Sequence, residues 1–230
     1  GPAGAVYVFR NLGGVWTQEQ KITAQNPAPG DRFGASIDIF DDVLAIGASG
    51  VVQIFRYDGS QWNLEQMLTH PSLGSEVALL GDTLAARIPG GILIYIKTPV
   101  GWLFQQQLAA VPGAGSDFPS LELQGDRLLA GGSANSAFVF RKAGGSYEHE
   151  QTLTVPGLPE SAGFGYPAGL YGDDILVGAI DEDHHGAVYW FRHDGNSWIQ
   201  AQRIPHFPPV SVSSDFGSSL ALRDGIALIG

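Results

Sequence analysis

Apolar and polar residues alternate along most of the chain in short runs. Side chains at every second position point to the same side of a β-strand, so this alternation is typical of strands with one buried face. No segment of ten or more residues shows the 3.6-residue period of a helix. Glycine-containing turns such as Gly13-Gly14 separate the runs. The pattern predicts β-hairpins built from short strands.

One hairpin occurs in five copies. Its first strand ends in an apolar residue: Phe9, Phe55, Ile96, Phe140 or Phe191. After the turn comes an aromatic residue: Trp16, Trp62, Trp102, Tyr147 or Trp198. Four positions later comes a glutamine, Gln20, Gln66, Gln106, Gln151 or Gln202, and two positions beyond it an aliphatic residue. Offsets of four and six predict that the aromatic, glutamine and aliphatic side chains share one face of a strand.

A second strand pair lies between successive hairpins, joined by a two-residue turn such as Asp41-Asp42 or Asp224-Gly225. Four strands in roughly 41 to 51 residues fit one blade of a β-propeller, which buries its faces only when neighbouring blades stack on it. We expect a single all-β domain over residues 1–230. Its complete blades are predicted at about 33–70, 75–110, 118–155 and 164–204.

The two ends of the chain carry complementary halves of a blade. Residues 216–230 form a first strand pair and residues 4–24 a second pair. We therefore predict five four-stranded blades, with the ring closed by pairing the N-terminal outer strands with the C-terminal inner strands. A slice of a six- to eight-bladed propeller, with an unpaired half-blade at each end, is the alternative. Because the chain begins with Gly1-Pro2, we also expect it to be a piece of a longer protein.

These repeats resemble a known family. The pairs Phe33-Gly34, Phe164-Gly165 and Phe216-Gly217, together with the hairpins GAVYVF and GAVYWF, are similar to the FG-GAP repeats of integrin-α-like β-propellers, in their bacterial form. The resemblance covers nearly the whole chain. It implies an extracellular or cell-surface module for adhesion and partner binding, although the sequence shows no signal peptide.

The resemblance makes calcium the cofactor to consider. Integrin-like blades often carry a DxDxDG loop between their first two strands, where alternating carboxylates coordinate Ca²⁺. Here that turn has only two residues. We therefore expect no cofactor, with calcium as the one that remains conceivable for this family.

Composition and charge exclude several classes of partner. The 23 acidic and 12 basic residues give a formal charge of −11, which repels nucleic acid and anionic lipid. The chain has no apolar run of membrane-spanning length, so membrane insertion is not expected. It has no cysteine, which excludes disulfides, thiolate metal sites and a cysteine nucleophile. We expect a monomer.

The strongest polar cluster is DEDHHG, from Asp181 to Gly186. Asp181 and Asp183 alternate like calcium ligands, and adjacent histidines suit a transition metal. A solvated acidic loop is the preferred interpretation, and a weak metal site is the alternative. The loop lies at the same end of its blade as the connections between blades, which gives a predicted contact patch: Asp181, Asp183, His184, His185, His206 and Phe207.

The predicted function is a non-catalytic binding or adhesion module that presents these loops to a protein partner. The alternative is a multivalent lectin, in which the repeated aromatic residues would stack on sugars. Packing between blades explains those aromatic residues better, because they alternate in step with aliphatic neighbours. The sequence predicts no catalytic residues, since no repeated geometry pairs carboxylates and no histidine has an evident serine or aspartate partner in the sequence. We therefore expect no enzyme.

Overall fold

The computed structural model describes residues 3–109, 118–207 and 214–230, and these residues are organised almost entirely as β-strands. Four sheets contain four strands each, and we name them blades A to D. Blade A comprises β3 (Ser36–Phe40), β4 (Val43–Ala48), β5 (Val51–Tyr57) and β6 (Trp62–Thr69). Blade B comprises β7 (Val77–Leu80), β8 (Thr83–Ile88), β9 (Gly91–Thr98) and β10 (Gly101–Ala109).

Blades C and D repeat this plan, and in each blade the strands lie side by side in chain order. Blade C comprises β11 (Ser120–Gln124), β12 (Arg127–Gly131), β13 (Ala137–Ala143) and β14 (Ser146–Leu153). Blade D comprises β15 (Phe164–Tyr171), β16 (Asp174–Ala179), β17 (Ala187–His193) and β18 (Trp198–Pro205). Two short 3-10 helices, Glu160–Ala162 and Glu182–His184, lie in loops next to blade D.

Two further hairpins stand outside the four blades. The N-terminal hairpin consists of β1 (Val6–Leu12) and β2 (Val15–Ile22), and the C-terminal hairpin of β19 (Leu220–Arg223) and β20 (Ile226–Ile229). Among the described strands, each hairpin is a two-stranded sheet of its own. The all-β fold with repeated four-stranded sheets is confirmed, whereas the fifth blade and the closed ring stay predictions.

The chain divides into two compact units. The first contains residues 1–88 and 93–105, and the second residues 89–92 and 106–230. In the first unit, one core cluster joins blade A to the N-terminal hairpin, and another joins it to blade B. In the second unit, a cluster joins blades C and D. Each core thus lies between neighbouring sheets, as expected for repeats that cannot bury their faces alone.

The outer strands contain a bulge that corrects one prediction. In blade A, Ile54 pairs with Gln66 but the next residue, Phe55, pairs with Leu64, so that Glu65 is the extra residue. The same shift occurs in the N-terminal hairpin and in blades C and D. A bulge reverses the alternation of side chains. Trp62 and Leu68 therefore belong to different core clusters, on opposite faces of the blade, and the predicted shared face is wrong.

The repeat alignment in blade B is also corrected by one residue. The backbone N–H of Tyr57 donates to the carbonyl of Asp42, the second residue of the first turn in blade A. In blade B it is the N–H of Lys97 that donates to Asp82. Lys97 thus occupies the place of Tyr57, and Tyr95 rather than Ile96 is the counterpart of Phe55. Lys97 is basic like Arg56, but the two residues occupy positions in the repeat that differ by one.

Candidate functional site

The loop between β16 and β17 is compact. It turns through the 3-10 helix Glu182–His184, and the backbone N–H groups of His185 and Gly186 both donate to the carbonyl of Glu182. Asp183 and His184 have φ angles of 51° and 64°. The left-handed region is uncommon for residues other than glycine, so this backbone is held in place by its surroundings.

The side chain of Glu182 fixes this backbone, a role that the sequence analysis did not predict. The residue is only 6% exposed. Its carboxylate accepts hydrogen bonds from the Tyr189 hydroxyl at 2.9 Å and from Nε of Arg203 at 2.9 Å. Tyr189 and Arg203 are direct cross-strand partners on β17 and β18, a register that could have revealed the pair. The interpretation of DEDHHG as a wholly solvated acidic loop is therefore wrong at its second residue.

This buried cluster changes the acidity of Tyr189. Burial, followed by the hydrogen bond to the Glu182 carboxylate, raises the pKa of Tyr189 to about 12. Arg203 also reaches the carboxylate of Asp183 at 3.5 Å, although the Asp183 side chain is mostly exposed. Arg203 therefore contacts both the buried carboxylate of Glu182 and the exposed carboxylate of Asp183.

The two aspartates proposed as weak metal ligands have different surroundings. Asp183 is directed towards Arg203, whereas the backbone N–H of Asp181 donates to Ala162 in the preceding loop. Across residues 3–109, 118–207 and 214–230, no three histidine, aspartate or glutamate side chains are grouped closely enough to hold a metal ion. The geometry gives the weak metal site no support.

The histidines of the loop make contact with a distant part of the sequence. Ser214 donates its backbone N–H to the carbonyl of His184 at 3.0 Å and its hydroxyl to that of His185 at 2.7 Å. Phe216 follows, and its ring meets that of His206 edge-to-face, with centroids 5.5 Å apart. Phe207 is 86% exposed. The structure thus brings the 181–185 loop and His206 to the same short segment, 214–216.

The turns that would carry calcium loops in integrin-like blades do not fit the ion. In blade A the turn between β3 and β4 consists of Asp41 and Asp42, and the Asp42 carboxylate accepts from Arg56 at 2.6 Å. In blade C the corresponding Asp126 accepts from Arg141 at 2.8 Å. Carboxylates that are paired with arginine in two-residue turns do not form the alternating oxygen cage that Ca²⁺ needs.

The repeated glutamines form a clasp between neighbouring sheets. The amide oxygen of Gln66 accepts from the backbone N–H of Trp102 at 2.7 Å, and its amide nitrogen donates to the Trp102 carbonyl at 2.8 Å. The same two bonds occur in the pairs Gln20 with Trp62, Gln106 with Tyr147, and Gln151 with Trp198. The repeated four-residue spacing signalled these residues, but not that each glutamine reaches the next repeat.

The aromatic residue in each clasp is buried. Trp62, Trp102, Tyr147 and Trp198 are all at most 5% exposed, whereas Trp16 is 68% exposed. A sugar cannot stack on rings that are covered by a neighbouring sheet. Four of the five aromatic faces on which the lectin alternative depended are therefore inaccessible.

Comparison with known proteins identifies the repeat. The family described as the FG-GAP repeat matches residues 16–61, which run from the second residue of β2 to the residue before β6. The resemblance inferred from the sequence is thus confirmed, and no curated protein matches the chain.

Solved structures show the propeller-like fold. A "putative 6-phosphogluconolactonase" from Bacteroides uniformis superposes with a TM-score of 0.69 at 10% identity, over 96% of this chain and 67% of that one. The computationally designed Ika8 protein superposes with a TM-score of 0.56 at 15% identity, over 84% of this chain and 54% of that one. This chain therefore spans about two thirds and about half of these neighbours, respectively.

The first neighbour overturns one expectation from the sequence. We expected no enzyme, yet a protein described by the name of an enzyme shares the fold. At 10% identity the likeness extends to the fold alone, so it transfers no active site. The expectation was wrong because it relied on the lack of a recognisable catalytic pattern in the sequence, whereas one fold can accommodate different functions and can bring distant residues together.

The FG-GAP signature has a structural reason in this chain. Phe33 and Phe164 are buried, and Gly34 and Gly165 have positive φ angles. A Cβ atom on Gly165 would lie 2.2 Å from the carbonyl oxygen of Gly132, so only glycine fits there. Blade B has Leu73 and Gly74 in this position, with Leu73 buried and Gly74 at a φ of 94°.

No helix formed by the described residues is both long and apolar enough to cross a membrane.

Proposed function

We propose that this FG-GAP chain is a binding module that engages a protein partner through the loops at one end of blade D. The contact residues are those of the predicted patch: Asp181, Asp183, His184, His185, His206 and Phe207. FG-GAP repeats in a propeller fold suggest a binding module. The observation that carries the proposal is the loop around Glu182, whose side chain is buried and hydrogen-bonded while Asp181, Asp183 and His184 remain exposed.

Anchoring matters for affinity. A loop that must become ordered on binding loses conformational entropy, and this loss reduces the affinity. Here the Glu182 carboxylate, the Tyr189 hydroxyl and the Arg203 guanidinium fix the loop before any partner arrives. The hydrogen bonds from Ser214 to two loop carbonyls add a second attachment. The patch is therefore preorganised.

The exposed groups indicate the chemistry of the partner. Asp181 and Asp183 present carboxylates, and the chain as a whole has a formal charge of −11. Phe207 adds an exposed aromatic ring. A partner surface that combines basic side chains with an apolar contact fits this patch, since complementary charge steers association and a buried aromatic residue supplies binding energy.

The setting of the module follows the family resemblance. We propose an extracellular or cell-surface location, as is common for FG-GAP modules. A closed five-bladed ring is compatible with this function but is not required, because every contact residue belongs to loops next to blade D. No contact in the described residues favours the lectin alternative.

A display selection tests the proposal. A library of natural protein fragments would be selected on the wild-type chain, and the recovered fragments compared on two double variants. Asp183→Lys with Phe207→Ser alters the patch, while Glu148→Lys with Ile199→Ser makes the same changes on exposed strand positions of blades C and D.

We expect the recovered fragments to bind the patch variant at least tenfold more weakly and the control variant with unchanged affinity. Circular dichroism and thermal melting would establish that both variants are folded. The proposal is wrong if the fragments bind both variants as well as the wild type, or lose affinity for both equally.

A further inference from the structure

A polar pocket of about 300 Å³ lies at one end of blade A. Arg32 lines it from the segment before β3, and Ser49 from the turn after β4. Ser72, Gly74 and Ser75 line it from the connection between blades A and B. All of its lining residues belong to the first compact unit, so the pocket is formed within that unit.

Arg32 supplies the charge of this pocket. Within residues 3–109, 118–207 and 214–230, its guanidinium has no hydrogen-bond or ion-pair partner. By contrast, Arg10 and Arg56 each pair with a glutamate. The neighbouring carboxylate of Asp31 accepts the backbone N–H of Ala28 instead, and none of the described lining residues is acidic. The chain has 23 acidic and 12 basic residues, so an arginine without an acidic partner is unusual in it.

The backbone at Arg32 is also unusual. Arg32 and Gly163 each precede a Phe-Gly pair, and their φ angles are 53° and 67°. Glycine adopts this left-handed conformation without steric cost, whereas arginine is strained in it. Strained residues cluster at functional sites, which favours a role for the side chain that position 32 carries in place of a hydrogen atom.

The connection between blades A and B contributes backbone donors. In blade A, the N–H groups of Gly34 and Ala35 both donate to the carbonyl of Gly47. The N–H groups of Gly74 and Ser75, at the equivalent positions before blade B, have no partner in the described part of the chain. Gly74 is buried, and a buried N–H group is normally hydrogen-bonded. These two residues therefore carry donors that a ligand can use.

Two serine hydroxyls add to these donors. The Ser75 hydroxyl accepts from Nη1 of Arg87 at 3.3 Å, which leaves its own proton for another acceptor. The backbone N–H of Ser72 donates to Nδ1 of His70 at 3.3 Å, while its hydroxyl has no partner among the residues that the structure describes. The pocket thus combines one guanidinium with hydroxyl and backbone donors.

We propose that this pocket binds a carboxylate group, with Arg32 as its cationic partner and Ser72 and Ser75 as hydroxyl donors. A carboxylate has only acceptor oxygens, and its plane matches the fork of an arginine. A single negative charge suits a pocket with one arginine better than the double charge of phosphate, because the chain has a formal charge of −11. The volume of about 300 Å³ accommodates a small organic acid or one acidic side chain.

NMR titrations of the isotopically labelled chain test this proposal. Glutarate represents a free organic acid, and an acetylated, amidated peptide that contains one glutamate represents a protein. The same peptide with glutamine is the neutral control. We expect glutarate or the glutamate peptide to cause saturable shifts in the amide signals of Gly74 and Ser75. Tighter binding of one probe than the other would identify the source of the carboxylate.

Variants locate the binding group. Arg32→Gln should weaken binding of the carboxylate probes roughly tenfold or more, since charge-assisted hydrogen bonds are lost. Arg32→Gly should do the same and keep the fold, because Gly163 occupies the equivalent position before blade D. Ser72→Ala should weaken binding a few-fold. Arg192→Gln is the matched control, because it removes one arginine from blade D, where the side chain is 63% exposed.

Three results would overturn the proposal. The first is a titration in which neither carboxylate probe gives saturable shifts at Gly74 and Ser75. The second is equal binding by Arg32→Gln and Arg192→Gln, because Arg32 would then have no part in it. The third is tighter binding of inorganic phosphate than of either carboxylate probe. These results do not bear on the patch around Asp183, which shares no residue with this pocket.

Discussion

The N-terminal hairpin and the outer hairpin of blade A have nearly the same sequence pattern but very different environments. Trp62 and Phe55 are buried, whereas Trp16 and Phe9 are mostly exposed. Both hairpins have the same bulge and the same arginine–glutamate pair. The difference therefore lies in what covers them, and it shows that the repeated aromatic residue is an interface residue rather than part of a core within one hairpin.

A blade is thus stable because of its neighbours. A two-stranded hairpin is at best marginally stable in water, and stacked repeats gain most of their stability from the surfaces between them. The clusters of this chain follow that rule, since each one joins side chains from two adjacent sheets. Identical substitutions should therefore have unequal effects at covered and uncovered copies of the repeat.

The largest difference is expected for the repeated tryptophan. Trp102→Ala removes a side chain that is only 1% exposed and should lower the free energy of unfolding by about 3–5 kcal/mol. Trp16→Ala should change it by less than about 0.5 kcal/mol when measured on single chains. Urea denaturation at low protein concentration provides the measurement. Equal losses at the two sites would show that Trp16 is covered within one chain, and the comparison would fail.

A smaller difference is expected for the glutamine clasp. Gln66→Met keeps the length of the side chain but removes both hydrogen bonds to the backbone of Trp102. Leaving a buried N–H and carbonyl without partners should cost about 2–3 kcal/mol. Gln202 makes no such clasp within the described residues, so Gln202→Met should change the free energy of unfolding very little. Denaturation midpoints of the two variants would decide, and a neutral Gln66→Met would mean that water replaces the clasp.

The tyrosines at equivalent positions, Tyr189 in blade D and Tyr7 in the N-terminal hairpin, allow a test by pH. Folding raises the pKa of Tyr189 to about 12, while an unfolded tyrosine ionises near 10. The unfolded chain thus releases its proton first. The contribution of Tyr189 is complete below pH 10 and is lost as the pH rises from about 10 to 12, by roughly 2 kcal/mol.

Stability measured from pH 8 to 12 on the wild type and on Tyr189→Phe checks this. The variant should lose less stability than the wild type across that interval. Tyr7→Phe is the control, because it removes a tyrosine hydroxyl at the equivalent but half-exposed position. Identical slopes for wild type and Tyr189→Phe would contradict the buried contact.

Features that depend on residues close in sequence could be predicted, whereas features that depend on contacts between distant residues could not. Alternation and the two-residue turns depend on neighbours in sequence, so the strands and the four-stranded repeats could be predicted from Trp62, Gln66 and their counterparts. The bulge at Glu65 could not, because it is a property of the pairing between two strands. The anchoring of Glu182 depends on Arg203, which lies 21 positions away, and on the cross-strand register that aligns Arg203 with Tyr189.

The smallest effect on stability is expected for the arginine–glutamate pairs, which are similarly exposed in the N-terminal hairpin and in blade A. Arg10 pairs with Glu19 in the N-terminal hairpin, and Arg56 pairs with Glu65 in blade A, at 2.6 and 2.7 Å. Both arginines remain substantially exposed, so solvent screens both pairs. Arg10→Ala and Arg56→Ala should therefore give similar and barely measurable shifts in the denaturation midpoint, smaller still in high salt. A clear loss for Arg56→Ala alone would show that covering a hairpin also strengthens its charges, through Asp42 and the neighbouring Lys97.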